Sequence, residues 1–216
     1  MVLQMPSAQT EVIYPESDGR PMADNMVQFR WIVTLQGGLA ALFRDRADVF
    51  VAGDLLWYPV EGHPDVCTAP DVMVVFGRPK GERGAYLQWR EDGIAPQVVF
   101  EVLSPSNTVT EMNRKIRFYD RYGVEEYYLY DLDNAELQGW QRVSGRLAVI
   151  EPISGWVSPL LCIRFEMGAE ELVVYRPDGQ RFLTYVELEE QRTQAERRAE
   201  RLAAQLRTLG VEPQEE

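Results

Sequence analysis

The sequence predicts an α/β protein ending in a helical tail, and three observations carry that prediction. Short apolar runs such as 98–103 (VVFEVL) are interleaved with longer stretches of helical period. Two turn pairs, Ser144-Gly145 and Asp178-Gly179, mark hairpins. From Glu187 onward the chain is charged on most sides and keeps one narrow apolar line.

Residues 22–43 (MADNMVQFRWIVTLQGGLAALF) place Met26, Phe29, Ile32, Val33, Leu35, Leu39 and Leu42 at helical spacing. Asp24 or Asn25 can cap the start, and Gly37-Gly38 either weakens the middle or breaks it. Residues 48–59 (DVFVAGDLLWYP) read as a strand ended by Pro59, and 70–77 (PDVMVVFG) as a second strand. Between 77 and 93 lies a polar loop with one short amphipathic turn. The run 98–103 reads as a strand buried on both faces, followed by a helix over 110–122 that Gly123 stops. Residues 125–133 (EEYYLYDLD) form another strand, and the two hairpins follow. In the tail, Leu188, Ala195, Leu202 and Leu209 recur every seven residues, with Ala199 and Leu206 four after members of that series. This suits a short coiled-coil seam, interrupted by Arg192; a single helix packed on its own domain is the other reading. The charged flanks favour self-association, so a homodimer is expected. The expected division is a core domain over 1–186, a helix over 187–210 and a disordered acidic end at 211–216.

Composition narrows the function classes. The 216 residues are 45% apolar and 26% charged, near the globular average, so a folded soluble domain is expected. No run approaches the roughly 20 apolar residues of a membrane span, so no membrane partner is expected. No secretory signal is visible, and two widely spaced cysteines, Cys67 and Cys162, suggest reduced thiols in a cytoplasm. The single histidine, His63, leaves little scope for His-based metal sites. A net charge of −12 argues against bulk nucleic-acid binding but leaves room for a local basic groove. Of 22 basic residues 20 are Arg, which draws attention to the two lysines, Lys80 and Lys115.

Chemistry concentrates on two acids set among apolar residues. An ionised Glu101 inside VVFEVL costs several kcal/mol, on the order given for buried ions, unless something pairs with it. Strand alternation groups Glu101 with Val99 and Leu103, and Asp71 with Met73 and Val75. If the two strands are neighbours, the carboxylates converge and either share a proton or hold a hard divalent cation. Asp54 is a third candidate ligand, with a turn role equally open; Asp71 alone also suits capping of a strand start. On the helix, Met112, Ile116, Phe118, Tyr119 and Tyr122 form one apolar arc, and Lys115 falls inside it. A lysine there either snorkels to solvent or meets a buried acid, and the lone acid of the preceding strand favours pairing.

The segments APDVMVVFG, PQVVFEVLSPSN and KIRFYDRYGVEEYYLYD, in that order, resemble the Uma-two family of restriction endonucleases, within the PD-(D/E)XK nuclease superfamily. The resemblance spans about residues 10–185. It implies a restriction-endonuclease-like fold: a mixed central sheet flanked by helices. It also implies that Asp71 is the motif aspartate and Glu101 the second acid. Leu103 stands where the motif lysine would be, and Lys115 on the following helix is the substitute. The implied activity is Mg²⁺- or Mn²⁺-dependent hydrolysis of DNA phosphodiester bonds. Asp71, Glu101 and Lys115 would be catalytic, and Asp71, Glu101 and Asp54 would hold the metal. Arg78, Lys80, Arg83, Arg114 and Arg117 are candidates to steer phosphates, with a solvated surface role the simpler reading. A rival reading, favoured by Leu103 and the negative charge, is a nuclease-like binding or assembly module without catalysis.

Overall fold

The computed structural model describes residues 12–19 and 21–209. The expected disordered end at 211–216 lies outside the described residues. Five segments join β5 (Val98–Leu103) in one six-stranded sheet: β1 (Val49–Gly53), β3 (Val72–Phe76), β6 (Glu126–Asp131), β7 (Glu136–Val143) and β8 (Arg146–Val149). Their order is β1-β3-β5-β6-β7-β8. All neighbours are antiparallel except β5 and β6, which run parallel. A parallel pair needs a crossover, and α2 (Val109–Tyr122) supplies it. The Thr108 side chain caps the α2 start, and Gly123 in the left-handed region ends it. The fold is therefore a mixed central sheet flanked by helices.

Strand alternation sorts the core onto two faces. Val72, Val74, Val98, Phe100, Tyr128 and Tyr130 point to one side, where Trp31, Ile32, Leu35 and Leu39 of α1 (Met26–Leu42) cover them. Met73, Val75, Val99, Tyr127 and Leu129 point to the other, where Tyr119 of α2 and Trp57 pack. A hairpin of β9 (Arg164–Met167) and β10 (Leu172–Tyr175) adds Phe165, Leu172 and Val174 to the first core. Two short parallel strands, β2 (Trp57–Tyr58) and β4 (Tyr86–Leu87), border the second.

Several local expectations change in the folded chain. The single strand expected over 48–59 is two, because Asp54 adopts φ 47, a left-handed conformation that ends β1. Residues 172–175 pair with 164–167 instead of with the segment after Asp178-Gly179. That turn closes with one isolated bridge, Tyr175 to Arg181, before the chain leaves to pack Phe182. The hairpin at Ser144-Gly145 forms, with both turn residues at positive φ. Met26, Phe29 and Val33 of α1 are exposed, Met26 at 88%. The helix buries a narrower arc, Gln28, Trp31, Ile32, Leu35 and Leu39. No helix among the described residues is long and apolar enough to cross a membrane.

The pair Gly37-Gly38 does not break α1. A Cβ on Gly38 would lie 2.3 Å from the Phe182 ring, so the glycine admits that ring against the helix. Gly38→Val is therefore expected to destabilise the protein by about 1–3 kcal/mol through overpacking. Gly37→Ala, with nothing within 4 Å of the new Cβ, is expected to be neutral or slightly stabilising. Urea denaturation of the two variants checks the contrast.

Candidate active site

The register of β3 and β5 pairs Val72 with Phe100 and Met73 with Val99. Continued by one residue, it sets Asp71 opposite Glu101, on the face that carries Met73, Val75 and Val99. The Asp71 Oδ2 accepts the Val102 backbone N–H at 2.6 Å, which ties the start of β3 to β5. Among the described residues its Oδ1 accepts no hydrogen bond.

Glu101 is 2% exposed, and both its oxygens are held from α2. Lys115 Nζ donates to Oε2 at 2.7 Å, and the Tyr119 hydroxyl, one helical turn on, donates to Oε1. The lysine on the apolar arc thus pairs with the buried acid. Burial alone would lower the Lys115 pKa, but the charges of Glu101 and Asp71 outweigh it and hold the amine above its ordinary value. Burial and the Glu101 charge push the Asp71 carboxyl well above the usual carboxylate range, against the pull of Lys115. Burial, then the Asp18 charge, also raises Asp54, whose backbone N–H donates to the Asp71 carbonyl at 3.2 Å.

A second buried acid shows what a structural role looks like here. Glu126, on the opposite face of the sheet, accepts hydrogen bonds from Tyr128, Ser158 and the Leu160 N–H, all neutral donors. Glu101 instead stands beside a cation and a second carboxylate.

Asp54, Asp71 and Lys115 line one cleft of about 580 Å³. Glu101 lies behind them and does not itself line it. Five acids (Asp18, Asp24, Asp54, Asp71, Glu111) face two bases (Arg114, Lys115) around this cleft. The balance attracts cations and repels a bare phosphate. Among the described residues no group of three or more His, Cys, Asp or Glu side chains is arranged to hold a metal ion. Magnesium-type binding asks less, one or two carboxylates with waters and substrate oxygens completing the shell. Asp71 Oδ1 fits that donor set as it stands, and Glu101 Oε2 would join it once Lys115 gives it up. The Tyr127 hydroxyl, buried on the same face and partnerless among the described residues, adds a polar atom next to these charges.

Two contributors were not visible as site residues in the sequence. Gln28, buried in α1, donates from Nε2 to the Val102 carbonyl at 2.8 Å, and its Oε1 accepts the Asp24 N–H. It couples α1 to the strand residue after Glu101. Its signal was a polar residue one turn before Ile32 on the buried arc. Tyr119 reads in sequence as plain core, and only the fold shows its hydroxyl on Glu101. Asp24 accepts from Ser104 and Ser106, which hold its carboxyl below the usual range and pin the turn after β5.

Most of the basic residues considered for phosphate steering are engaged elsewhere. Arg78 and Arg83 both bind the Glu91 carboxylate, and Lys80 donates to the carbonyls of Phe43 and Arg44. Arg117 bonds the Asn113 carbonyl, which leaves Arg114 at the cleft.

The raised Asp71 carboxyl carries a pH-dependent prediction. A group raised in the fold contributes stability fully below its unfolded value of about 3.8, and that contribution is lost as pH rises through the folded value. Asn mimics the protonated acid at every pH. In a chelator, Asp71→Asn is therefore expected to be more stable than the parent at pH 7 and no more stable near pH 3. Chemical denaturation at the two pH values measures it, and a variant less stable at pH 7 would contradict the assigned burial cost.

Comparisons with known proteins bear on the family of the chain. A family model for Uma2, described as "Putative restriction endonuclease", matches residues 3–166. No curated protein matches the chain. A solved structure from Anabaena variabilis, described as "a putative nuclease belonging to DUF820", is similar at 16% identity and a TM-score of 0.49. The match covers 68% of this chain and 82% of that one. With the match running through both acidic strands and α2, the chain belongs to the Uma2 restriction-endonuclease family.

Proposed function

We propose that the protein is a Mg²⁺- or Mn²⁺-dependent endonuclease that hydrolyses DNA phosphodiester bonds. The observation that carries this reading is the opposition of Asp71 and Glu101 across β3 and β5, with Lys115 on Glu101. Asp71 and Glu101 would hold the cation, with Asp54 as a third carboxylate at the cleft wall. When bound, a divalent ion supplies Lewis-acid polarisation of the phosphate and a more acidic water. Lys115 stays protonated and donates to the attacking water or to the charge that builds on phosphorus-bound oxygens. Holding a cation on Glu101 requires Lys115 Nζ to yield Oε2, and that shift would bring the amine toward the cleft. Tyr119 keeps Oε1 and so fixes the carboxylate while Lys115 moves. Arg114 at the cleft edge meets the phosphate backbone.

A second reading, a catalytically silent binding module, draws on one observation: Glu101 is closed off by Lys115 and Tyr119. Incubation of supercoiled plasmid with Mg²⁺ or Mn²⁺, with and without chelator, separates the two. Nicking or linearisation that the chelator abolishes is expected. Retained DNA binding without cleavage in either cation would favour the silent module.

A further inference from the structure

The helix α3 (Tyr185–Thr208) begins with a full capping box between Thr184 and Glu187, yet none of its residues is buried. At about 1.5 Å per residue it runs roughly 36 Å. Leu188 and Leu202 are 51% and 50% exposed, and Leu206 and Leu209 stand on the same line. Nothing among the described residues covers this seam. Arg192, inside it, is held by Glu189 and Glu196 one turn away on either side.

The geometry points to a second copy of this chain as the cover, paired antiparallel through α3. In that orientation the seam is complementary to itself about an axis at Arg197. Leu188 meets the partner's Leu206, Ala195 meets the partner's Ala199, and Tyr185 meets the partner's Leu209. Arg192 lies along the partner's Leu202, where its stem packs and its head stays wet. Small residues fall at the centre, where the helices approach, and large ones toward the ends. A parallel, in-register pair would instead set Arg192 against its own copy in the seam.

Charge favours the same orientation. From Tyr185 to Ala195 the helix carries three Glu and one Arg; from Glu196 to Thr208 it carries four Arg and two Glu. Antiparallel pairing lays the negative half on the positive half, and parallel pairing lays like on like. Glu196 and Arg198 flank the axis and face their own copies, at exposed positions where solvent screens the repulsion.

The core extends the surface. Exposed Met26, Phe29 and Val33 of α1 form an apolar groove of about 1120 Å³ with Tyr185 and Val186 at the root of α3. Antiparallel pairing brings the partner's Leu206 and Leu209 to the mouth of that groove. Seam and groove then make one continuous apolar patch, larger than a helix of this length offers alone.

The test uses the full chain with Cys67→Ser and Cys162→Ser. Sedimentation should show a dimer, and Leu202→Arg should weaken it at least tenfold without changing the circular dichroism of the folded chain. Under mild oxidation, a mixture of Ala195→Cys chains and Ala199→Cys chains should form the mixed disulfide, and Leu188→Cys alone should stay uncross-linked. A monomer at tens of micromolar would overturn the proposal. So would a dimer indifferent to Leu202→Arg, or self-cross-linking through Leu188→Cys, which reports parallel helices.

Discussion

Replacing Glu101 by Gln is expected to lower metal-dependent DNA cleavage on the order of 10³-fold. Gln keeps the volume and can still accept from one of its two partners. Its amide end, however, faces Lys115 or Tyr119 with a donor where each needs an acceptor. It also removes the charge that a hard cation requires. Glu101→Ala goes further, because it leaves the Lys115 ammonium without its partner. Breaking a largely buried pair from one side costs about 3–5 kcal/mol, and the Lys115 side chain is only 20% exposed. The two substitutions therefore separate chemistry from folding. Glu101→Gln should lose cleavage with a modest change in stability, and Glu101→Ala should lose both. Single-turnover cleavage and denaturation measured on the same samples give the comparison.

Lys115→Met should affect two readouts in opposite directions. Met preserves the apolar packing of the stem, but nothing remains to orient the water, so cleavage is expected to fall about 10²–10³-fold. The substitution also removes the positive charge that competes for Glu101 Oε2. Cation affinity should hold or rise, in contrast with a ligand substitution. The cation-free variant is destabilised by two neighbouring acids with less compensation. Saturating Mg²⁺ restores it, since a ligand at 100 times its Kd contributes about 2.7 kcal/mol. Thermal unfolding with and without Mg²⁺ should thus show a larger shift for Lys115→Met than for the parent. An unchanged cleavage rate would reduce Lys115 to a structural partner of Glu101.

The features legible in the sequence are those with a local energetic signature. A carboxylate inside VVFEVL and a lysine on an apolar helical arc each cost too much to be incidental, and the structure joins them. Alternation assigned Asp71 and Glu101 to faces, since a strand's period of two holds whatever its partner is. Pairing is not local, and there sequence reasoning was weaker. Nothing near Leu172 says that its partner is Met167 and not a residue after Gly179. Periodicity locates α1 but does not say which of its apolar residues are buried, and Phe29 and Val33, though at helical spacing, line a groove. Tyr119 was hidden because an aromatic on a core arc explains itself, and its hydroxyl's role appears only when Glu101 is placed beneath it. Gln28 was hidden because a neutral amide on a helix carries little cost until its burial is known.

The central claim is that Asp71 and Glu101 together hold a divalent cation that Lys115 serves. Calorimetric titration of Mg²⁺ or Mn²⁺ into the chelator-stripped protein, with Asp71→Asn and Glu101→Gln alongside, tests it most directly. One cation per chain is predicted for the parent, with binding lost or weakened at least tenfold in both variants. No uptake by the parent, or equal uptake by all three proteins, would contradict it.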